Sequence, residues 1–515
     1  MIIPPRKTYG TPSVRMPTRK YFVAVTTVVI SLTLLLYSRR LGTWLDNEPY
    51  YAPHKSQHAP LRSPVPLEDT GNDTLNTTGQ SSQPIVKTKP PIDPICDGFP
   101  DTSKILLVMK TGASEAFARL PIQMMTVLKC LPDYLIFSDM EQTINGVKVH
   151  DSLSTVRKEA QDGNPDFDLY RRQKWCQIDQ ESCNKLGDPA SEGWNLDKYK
   201  NIHMADRAFH MRPGYDWYLF VDADTYVVWS NMVEWVKQLN PKKKHYLGSV
   251  TLINGFSFGH GGSGYMLSKR AMQDFIGDHP GIGNEWDIRA KSECCGDYLF
   301  AVALKQTSGL QVQNAWPTIN GEKPTTLPYG PSHWCHPIVT MHHMNSEEIE
   351  RFWNFERERA RRKAQSPADT QRPLLIRDIY YEYVAPKLNE TRKDWDNLSE
   401  NQFYLSDDVE YDDWMSGRIK PKDQYNEEEK NAHLSFEDCG RACKSLGPDE
   451  CFQWRYKDGT CGFSNSFLLG HPVEKETEEK DRWISGWDME KIDAWVERHA
   501  TCDDIRWPKV KGWSS

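Results

Sequence analysis

Two aspartates interrupt a run that otherwise has the character of a buried strand, in "DWYLFVDADTYVVW" (216–229). A carboxylate buried without a partner costs several kcal/mol, so Asp222 and Asp224 must be paired or must hold a cation. On an extended chain, positions two apart face the same side. Two such carboxylates can hold a divalent cation, which in turn holds a diphosphate. Asp-x-Asp alone is a weak pattern; the apolar residues 219–221 and 226–229 on either side argue against simple exposure. More ligands stand in "SHWCHPIVTMHHMNS" (332–346), with His333, His336, His342 and His343. Cys335 between two of these raises zinc, but a fourth ligand has no clear source.

Residues of this kind need rigid elements to hold them. "ILLVM" (105–109) and "DYLIFSD" (133–139) are short continuous apolar runs, as in strands buried on both faces, and "AFARLPIQMMTVLKCL" (116–131) between them has helical spacing. Strand, helix, strand at this spacing predicts a βαβ unit in an α/β domain, with ligands bound beyond the carboxyl ends of the strands. A helix over 196–211 leads into the strand carrying Asp222. A short helix over 231–239 and a strand "HYLGSV" follow, and "GHGGSGYMLSKRAMQDFI" (259–276) reads as a glycine-rich loop opening a helix. A further helix runs from Asn345 or Ser346 to about Lys363, and 374–388 reads as ordered.

The flanks suggest a location. Basic residues at 1–20 precede "YFVAVTTVVISLTLLLY" (21–37), uncharged and followed by Arg39-Arg40. The run sits at the short end of a membrane span, and a cleaved signal peptide competes with it. Without a small-residue cleavage pattern, a retained signal-anchor with a cytosolic N-terminus is the stronger expectation. Residues 38–95 read as a flexible Pro/Ser/Thr/Asn stem. Asn72, Asn76, Asn389 and Asn397 stand in Asn-x-Ser/Thr acceptors, and twelve cysteines make an even count; both fit the secretory pathway. Cys439, Cys443, Cys451 and Cys461 bunch near an Asp-Gly turn signal and predict a disulfide-stapled domain over 430–508, its pairing unreadable from spacing. Residues 364–429 read as an extension linking it to the rest. The net charge of -8 over 515 residues gives no sign of nucleic acid.

"DWYLFVDADTYVV", "GGSGYMLSK" (261–269), "CCGDYLFAVAL" (294–304) and "VTMHHMNS" (339–346) stand in the order found in family 31 glycosyltransferases, the group of the fringe proteins and core 1 β1,3-galactosyltransferases. The similarity spans about 100–350. The combination with the cysteine domain, which resembles a PAN/apple module, looks like a fungal branch. The resemblance implies a GT-A fold over 96–363: a Rossmann-like, mostly parallel mixed sheet with helices on both faces, with the small α+β domain beyond it. It implies a UDP-sugar donor, Mn²⁺ and inversion. Asp224 matches the principal metal ligand, Asp222 the first carboxylate near ribose and metal, and His342 the completing histidine. His343 lies where the family more often has an aromatic. Asp297 matches the base, in a loose version of its motif with Asp287, Glu285 and Glu293 nearby. Thr111, Arg119 and Asp139 match donor-binding positions, and Gly261, Gly262 and Gly264 the loop shaping the acceptor side. Ala223 stands where the family commonly has a third aspartate.

These features together predict a single-pass type II enzyme of the Golgi membrane. It would move a sugar, galactose by the resemblance and in a β1,3 linkage, from a UDP-sugar to a glycan or glycoprotein acceptor; a homodimer is compatible with this build. A luminal carbohydrate- or protein-binding protein on the same scaffold, without catalysis, is the competing expectation.

Overall fold

A computed structural model describes residues 93–365 and 372–512. The predicted tail, membrane span and nearly all of the stem, with Asn72 and Asn76, lie outside them. Among the described residues no helix is long and apolar enough to cross a membrane.

The apolar runs form the strands expected of them. β1 (Ile105–Lys110), β2 (Tyr134–Ser138), β3 (Gln142–Ile144), β4 (Val147–Asp151), β5 (Trp217–Asp222), β7 (Tyr246–Gly248), β10 (Tyr265–Ser268) and β11 (Gln313–Asn314) make one eight-stranded sheet, ordered β11-β7-β10-β5-β1-β2-β4-β3. β1, β2, β4 and β5 are mutually parallel neighbours, β11 runs parallel to β7, and β10 and β3 run antiparallel. The chain is therefore α/β, with a large mixed, mostly parallel sheet.

Side chains alternate between its faces. Leu107, Met109, Leu219 and Val221 join one core cluster, and Leu106, Val108, Tyr218 and Phe220 the other. Continuous apolar runs follow from this, because both faces are covered. The helix Ala116–Met125 packs on the first face; the helices Lys200–Met211 and Gly296–Ser308 pack on the second. Each fully buried large side chain contributes about 1.5–3 kcal/mol.

Two local expectations change. β5 stops at Asp222, and Ala223-Asp224 turn, closed by Thr225 N–H donating to the Asp222 carbonyl at 3.0 Å. The two carboxylates are thus not side by side on an extended strand. The glycine loop, too, leads first into β10 and only then into the helix Lys269–Met272, because "YMLS" supplies the antiparallel partner between β5 and β7.

β6 (Tyr226–Val227) and β12 (Thr340–Met341) pair antiparallel outside the main sheet, and β8 (Val250–Ile253) with β9 (Phe256–Gly259) forms a hairpin. Beyond the helix Ser346–Gln365, the C-terminal region builds a five-stranded antiparallel sheet. Its strands are β13 (Thr391–Lys393), β15 (Gln402–Leu405), β16 (Gln453–Lys457), β17 (Thr460–Ser464) and β19 (Ile484–Trp487); β14 (Trp395–Asp396) pairs separately with β18 (His471–Pro472). Two of the five strands come from the stretch expected to be a linker, so this sheet begins near 391 rather than 430. Asp458 and Gly459, both at positive φ, turn the β16–β17 hairpin as the Asp-Gly pair predicts.

All twelve cysteines are paired. Cys439–Cys461 and Cys443–Cys451 staple the helix Phe436–Ser445 within the C-terminal region. Cys335–Cys502 ties the two regions together across 167 residues, and the Trp334 indole N–H donates to the His499 carbonyl beside it. Both regions lie in one compact unit. Asn389 is exposed, as an acceptor must be. Asn397 is fully buried, its amide donating to the Trp454 and Gly486 carbonyls, so a glycan there has no room in the fold. Replacing Cys335 and Cys502 together by serine should lower stability by about 2–5 kcal/mol through the long loop released. Denaturant unfolding checks this, and an unchanged midpoint would show that the surrounding core holds the two regions alone.

Candidate functional site

The carboxyl ends of β1 and β5 meet a cavity of ≈ 390 Å³. Register decides its floor: Lys110 is the direct parallel partner of Asp222. Its ammonium lies 3.3 Å from Asp222 Oδ1 and 2.5 Å from Asp197 Oδ2. A second buried cation, Lys200, donates to the Thr111 carbonyl and sits 3.5 Å from both Asp139 and Asp197. Burial disfavours the charge on Lys110, but Asp197 and Asp222 outweigh it and raise its pKa. Burial, with Asp197 and Asp224 close by, raises that of Asp222 against the pull of Lys110. No motif marks these lysines in the sequence. The available signal was a lysine ending an otherwise apolar strand.

Asp224 faces a different set of partners. The β6–β12 pairing brings the segment after Met341 alongside the Ala223-Asp224 turn, and Met344 N–H donates to the Asp224 carbonyl at 3.0 Å. His342 Nε2 then lies 3.3 Å from Asp224 Oδ1, His343 Nδ1 4.0 Å from Oδ2, and Arg119 Nη2 3.9 Å from Oδ2. Burial works against the Asp224 charge, yet the hydrogen bond to His342, with Arg119 and His343 close by, holds its pKa below the usual carboxylate value. Each of Asp224, His342 and His343 offers one ligand atom, and the three atoms lie within 4.8 Å of one another. His343 takes a left-handed backbone, φ 58°, unusual for a side chain of its size. His342 Nδ1 is buried without a hydrogen-bond partner. An oxygen and two imidazole nitrogens so placed suit a divalent cation. Asp222, expected in that set, lies 3.3 Å from Lys110, and the converging atoms belong to Asp224, His342 and His343.

Three contacts hold this corner still. Gln123 on the helix Ala116–Met125 donates its amide to the carbonyls of Ala223 and Thr225, at 2.8 and 3.2 Å. The Thr225 hydroxyl donates to the Gly262 carbonyl at 2.7 Å, joining the turn to the glycine loop. Gly262 lies against the His342 ring: a Cβ there would stand 2.2 Å from Cε1. Gly264, at φ 84°, turns the loop back and does not line the cavity.

Asp297, near the N-terminus of the helix Gly296–Ser308, shares the cavity. Its Oδ2 accepts from Gly261 N–H at 2.7 Å and its Oδ1 from Tyr298 N–H at 2.8 Å. The nearby alternatives are elsewhere. Asp287 is buried against His203, 2.7 Å away, and accepts from Arg157 N–H; Glu293 pairs with Arg289; Glu285 is exposed, and none of the three lines the cavity.

Thr111 and Arg119 line the cavity, whereas Asp139 stands behind it, fully buried, accepting from Ala113 N–H to shape the loop after β1. His260, its pKa lowered by burial, the exposed Trp194 and the bonded pair Cys294–Cys295 also line it. His333 and His336 do not, and the bond from Cys335 to Cys502 removes the thiolate that zinc would need there.

Neither the models of known protein families nor the curated proteins match this chain. The cavity itself brings together a carboxylate and two imidazoles with converging ligand atoms, buried lysines, and a carboxylate near a helix N-terminus.

If the site binds a cation as built, Mn²⁺ should raise the unfolding temperature of the unaltered protein by mass action. Gly262→Ala, which displaces the His342 ring, should abolish most of that shift while the protein stays folded. An equal shift in both proteins would show that His342 is not a ligand.

Proposed function

We propose that this protein is an inverting glycosyltransferase of GT-A type, similar to family 31. It would transfer a sugar, galactose in a β1,3 linkage being the leading assignment, from a UDP-sugar to a glycan or glycoprotein acceptor. One observation carries the proposal: Asp224, His342 and His343 present converging ligand atoms in the same cavity as Asp297, at the carboxyl edge of parallel strands. That is the crevice where open α/β sheets bind their ligands.

Asp224 and His342, with His343, would hold the divalent cation. When bound, such a cation stabilises negative charge growing on a nucleoside diphosphate leaving group. The chain's own cations contribute to the same end: Lys110 keeps its charge through Asp197 and Asp222, and Arg119 stands beside Asp224. Asp297 is the candidate base. The Gly261 and Tyr298 amides orient its carboxylate, and each oxygen keeps a lone pair for an acceptor hydroxyl. Proton removal by one base during in-line attack inverts the anomeric centre. Trp194, 60 % exposed at the cavity wall, offers an apolar face to a sugar ring.

Complete cysteine pairing supports a secretory compartment, and a Golgi type II orientation is proposed with it.

The test is UDP release from a panel of UDP-sugars with Mn²⁺ and a mixed glycan acceptor. One donor should turn over, and EDTA or Asp224→Asn should abolish turnover. Asp297→Asn should lower turnover by about 10²–10⁴-fold while donor binding persists. Folded protein that binds no nucleotide sugar would overturn the transferase proposal. Donor binding with turnover indifferent to Asp297→Asn would move the base elsewhere.

A further inference from the structure

Five of the disulfides join residues that lie between 7 and 167 positions apart. The remaining one joins two neighbours, Cys294 and Cys295, in the wall of the cavity that holds Asp297. A disulfide stabilises a fold mainly by closing a loop in the unfolded chain, and a bond between neighbours closes almost none. Stability therefore gives little reason for it, and its position offers another. Cys295 is the residue from which the helix Gly296–Ser308 starts, its backbone extended and its carbonyl accepting from Leu299 N–H at 3.0 Å. A side chain at this position ordinarily caps the helix by accepting from the amide three residues on. Here that amide is Tyr298 N–H, and the Cys295 sulfur, bonded to Cys294, does not accept it.

The Asp297 carboxylate accepts it instead, at 2.8 Å, while its other oxygen accepts from Gly261 N–H at 2.7 Å. The orientation of Asp297 thus depends on an amide that a free sulfur at Cys295 would compete for. The helix itself is held from behind: a Cβ on Gly296 would stand 2.7 Å from Asn201 Oδ1 and 3.0 Å from the Asp197 carbonyl oxygen. Side chains, rather than the helix, are left to respond. The bond is also within reach of solvent, with Cys294 exposed and Cys295 half-buried. A dithiol attacks the Cys294 sulfur as its thiolate, the Cys294–Cys295 bond breaks, and Cys295 leaves as a thiolate, a charge that a helix N-terminus favours. The reductant's second thiol then displaces Cys294 and closes the reductant's own disulfide. Two electrons pass to the protein, and the two protons of the dithiol go to Cys294 and to Cys295 or solvent.

We propose that Cys294–Cys295 is a thiol-exchange site, whose reduction lets the Cys295 sulfur take the Tyr298 amide and turns the Asp297 carboxylate away from Gly261. The consequence for catalysis, a reversible loss of the base, rests on the transferase reading; the exchange and the rotation do not.

The full chain is equilibrated with graded ratios of reduced to oxidised dithiothreitol, and free thiols are trapped by alkylation and located by peptide mass spectrometry. Cys294 and Cys295 should open at a ratio about tenfold or more below that which opens Cys96–Cys130 or Cys335–Cys502. Hydrogen–deuterium exchange at the Gly261 amide should then quicken, and UDP release should fall about tenfold or more and return on reoxidation. Two double variants separate capping from mere loss of the bond. Cys294→Ala with Cys295→Ser supplies a capping hydroxyl and should show fast Gly261 exchange, whereas Cys294→Ala with Cys295→Ala should keep it slow. The proposal is overturned if the pair opens no earlier than the long-range bonds, if reduction leaves Gly261 exchange unchanged, or if the two variants behave alike. Oxidised protein without turnover would count against the transferase reading alone, and Gly261 exchange would still decide the proposal.

Discussion

The pairing of two short strands, Tyr226–Val227 with Thr340–Met341, is the constraint on which the site depends. These segments are more than a hundred residues apart in sequence. Only their antiparallel register, extended by the Met344 amide on the Asp224 carbonyl, brings two histidines within reach of Asp224. The glycine loop closes the corner from a third direction, and its lack of a side chain at 262 leaves space for the His342 ring. Backbone pairing and the side chains of Gln123 and Thr225 together fix the segments that carry Asp224 and the two histidines.

The opposite wall follows another logic. Lys110 and Lys200 are buried with Asp139, Asp197 and Asp222, and each carboxylate lies near at least one ammonium. Buried ion pairs of this kind seldom stabilise a fold beyond what apolar packing would. Lys110 and Lys200 both line the cavity, so these pairs also set the charge at its floor. Asp222 belongs to this group, so the two aspartates of one short motif serve different walls.

Much of this was legible in the sequence. Apolar runs marked β1, β2 and β5 because both faces of the sheet are covered, and the helical spacing at 116–131 and 196–211 marked helices that hold the site. Asp224, His342 and Asp297 were legible from motif order, and the structure brings them into one cavity. His343 was legible only as one of four histidines in 332–346; its left-handed backbone and its place beside Asp224 appear only in the fold. The turn at Ala223 was not legible: β-branched and aromatic residues on both sides imitate a continuous strand, while the chain in fact leaves the sheet after Asp222. Asn397 shows the limit of a local motif. Its sequon is intact, but its amide is spent on Trp454 and Gly486 in a buried corner. Cys335 between His333 and His336 similarly suggested a ligand set, until its bond to Cys502 gave it a structural role.

The most direct test of the account is calorimetric titration of Mn²⁺ into the full chain and four variants: Asp224→Asn, His342→Ala, His343→Ala and Asp222→Asn. The account predicts one site per chain, lost with Asp224→Asn and His342→Ala, clearly weakened by His343→Ala, and retained in Asp222→Asn. Binding that survives His342→Ala, or that is lost with Asp222→Asn while His343→Ala leaves it intact, would contradict the site described here.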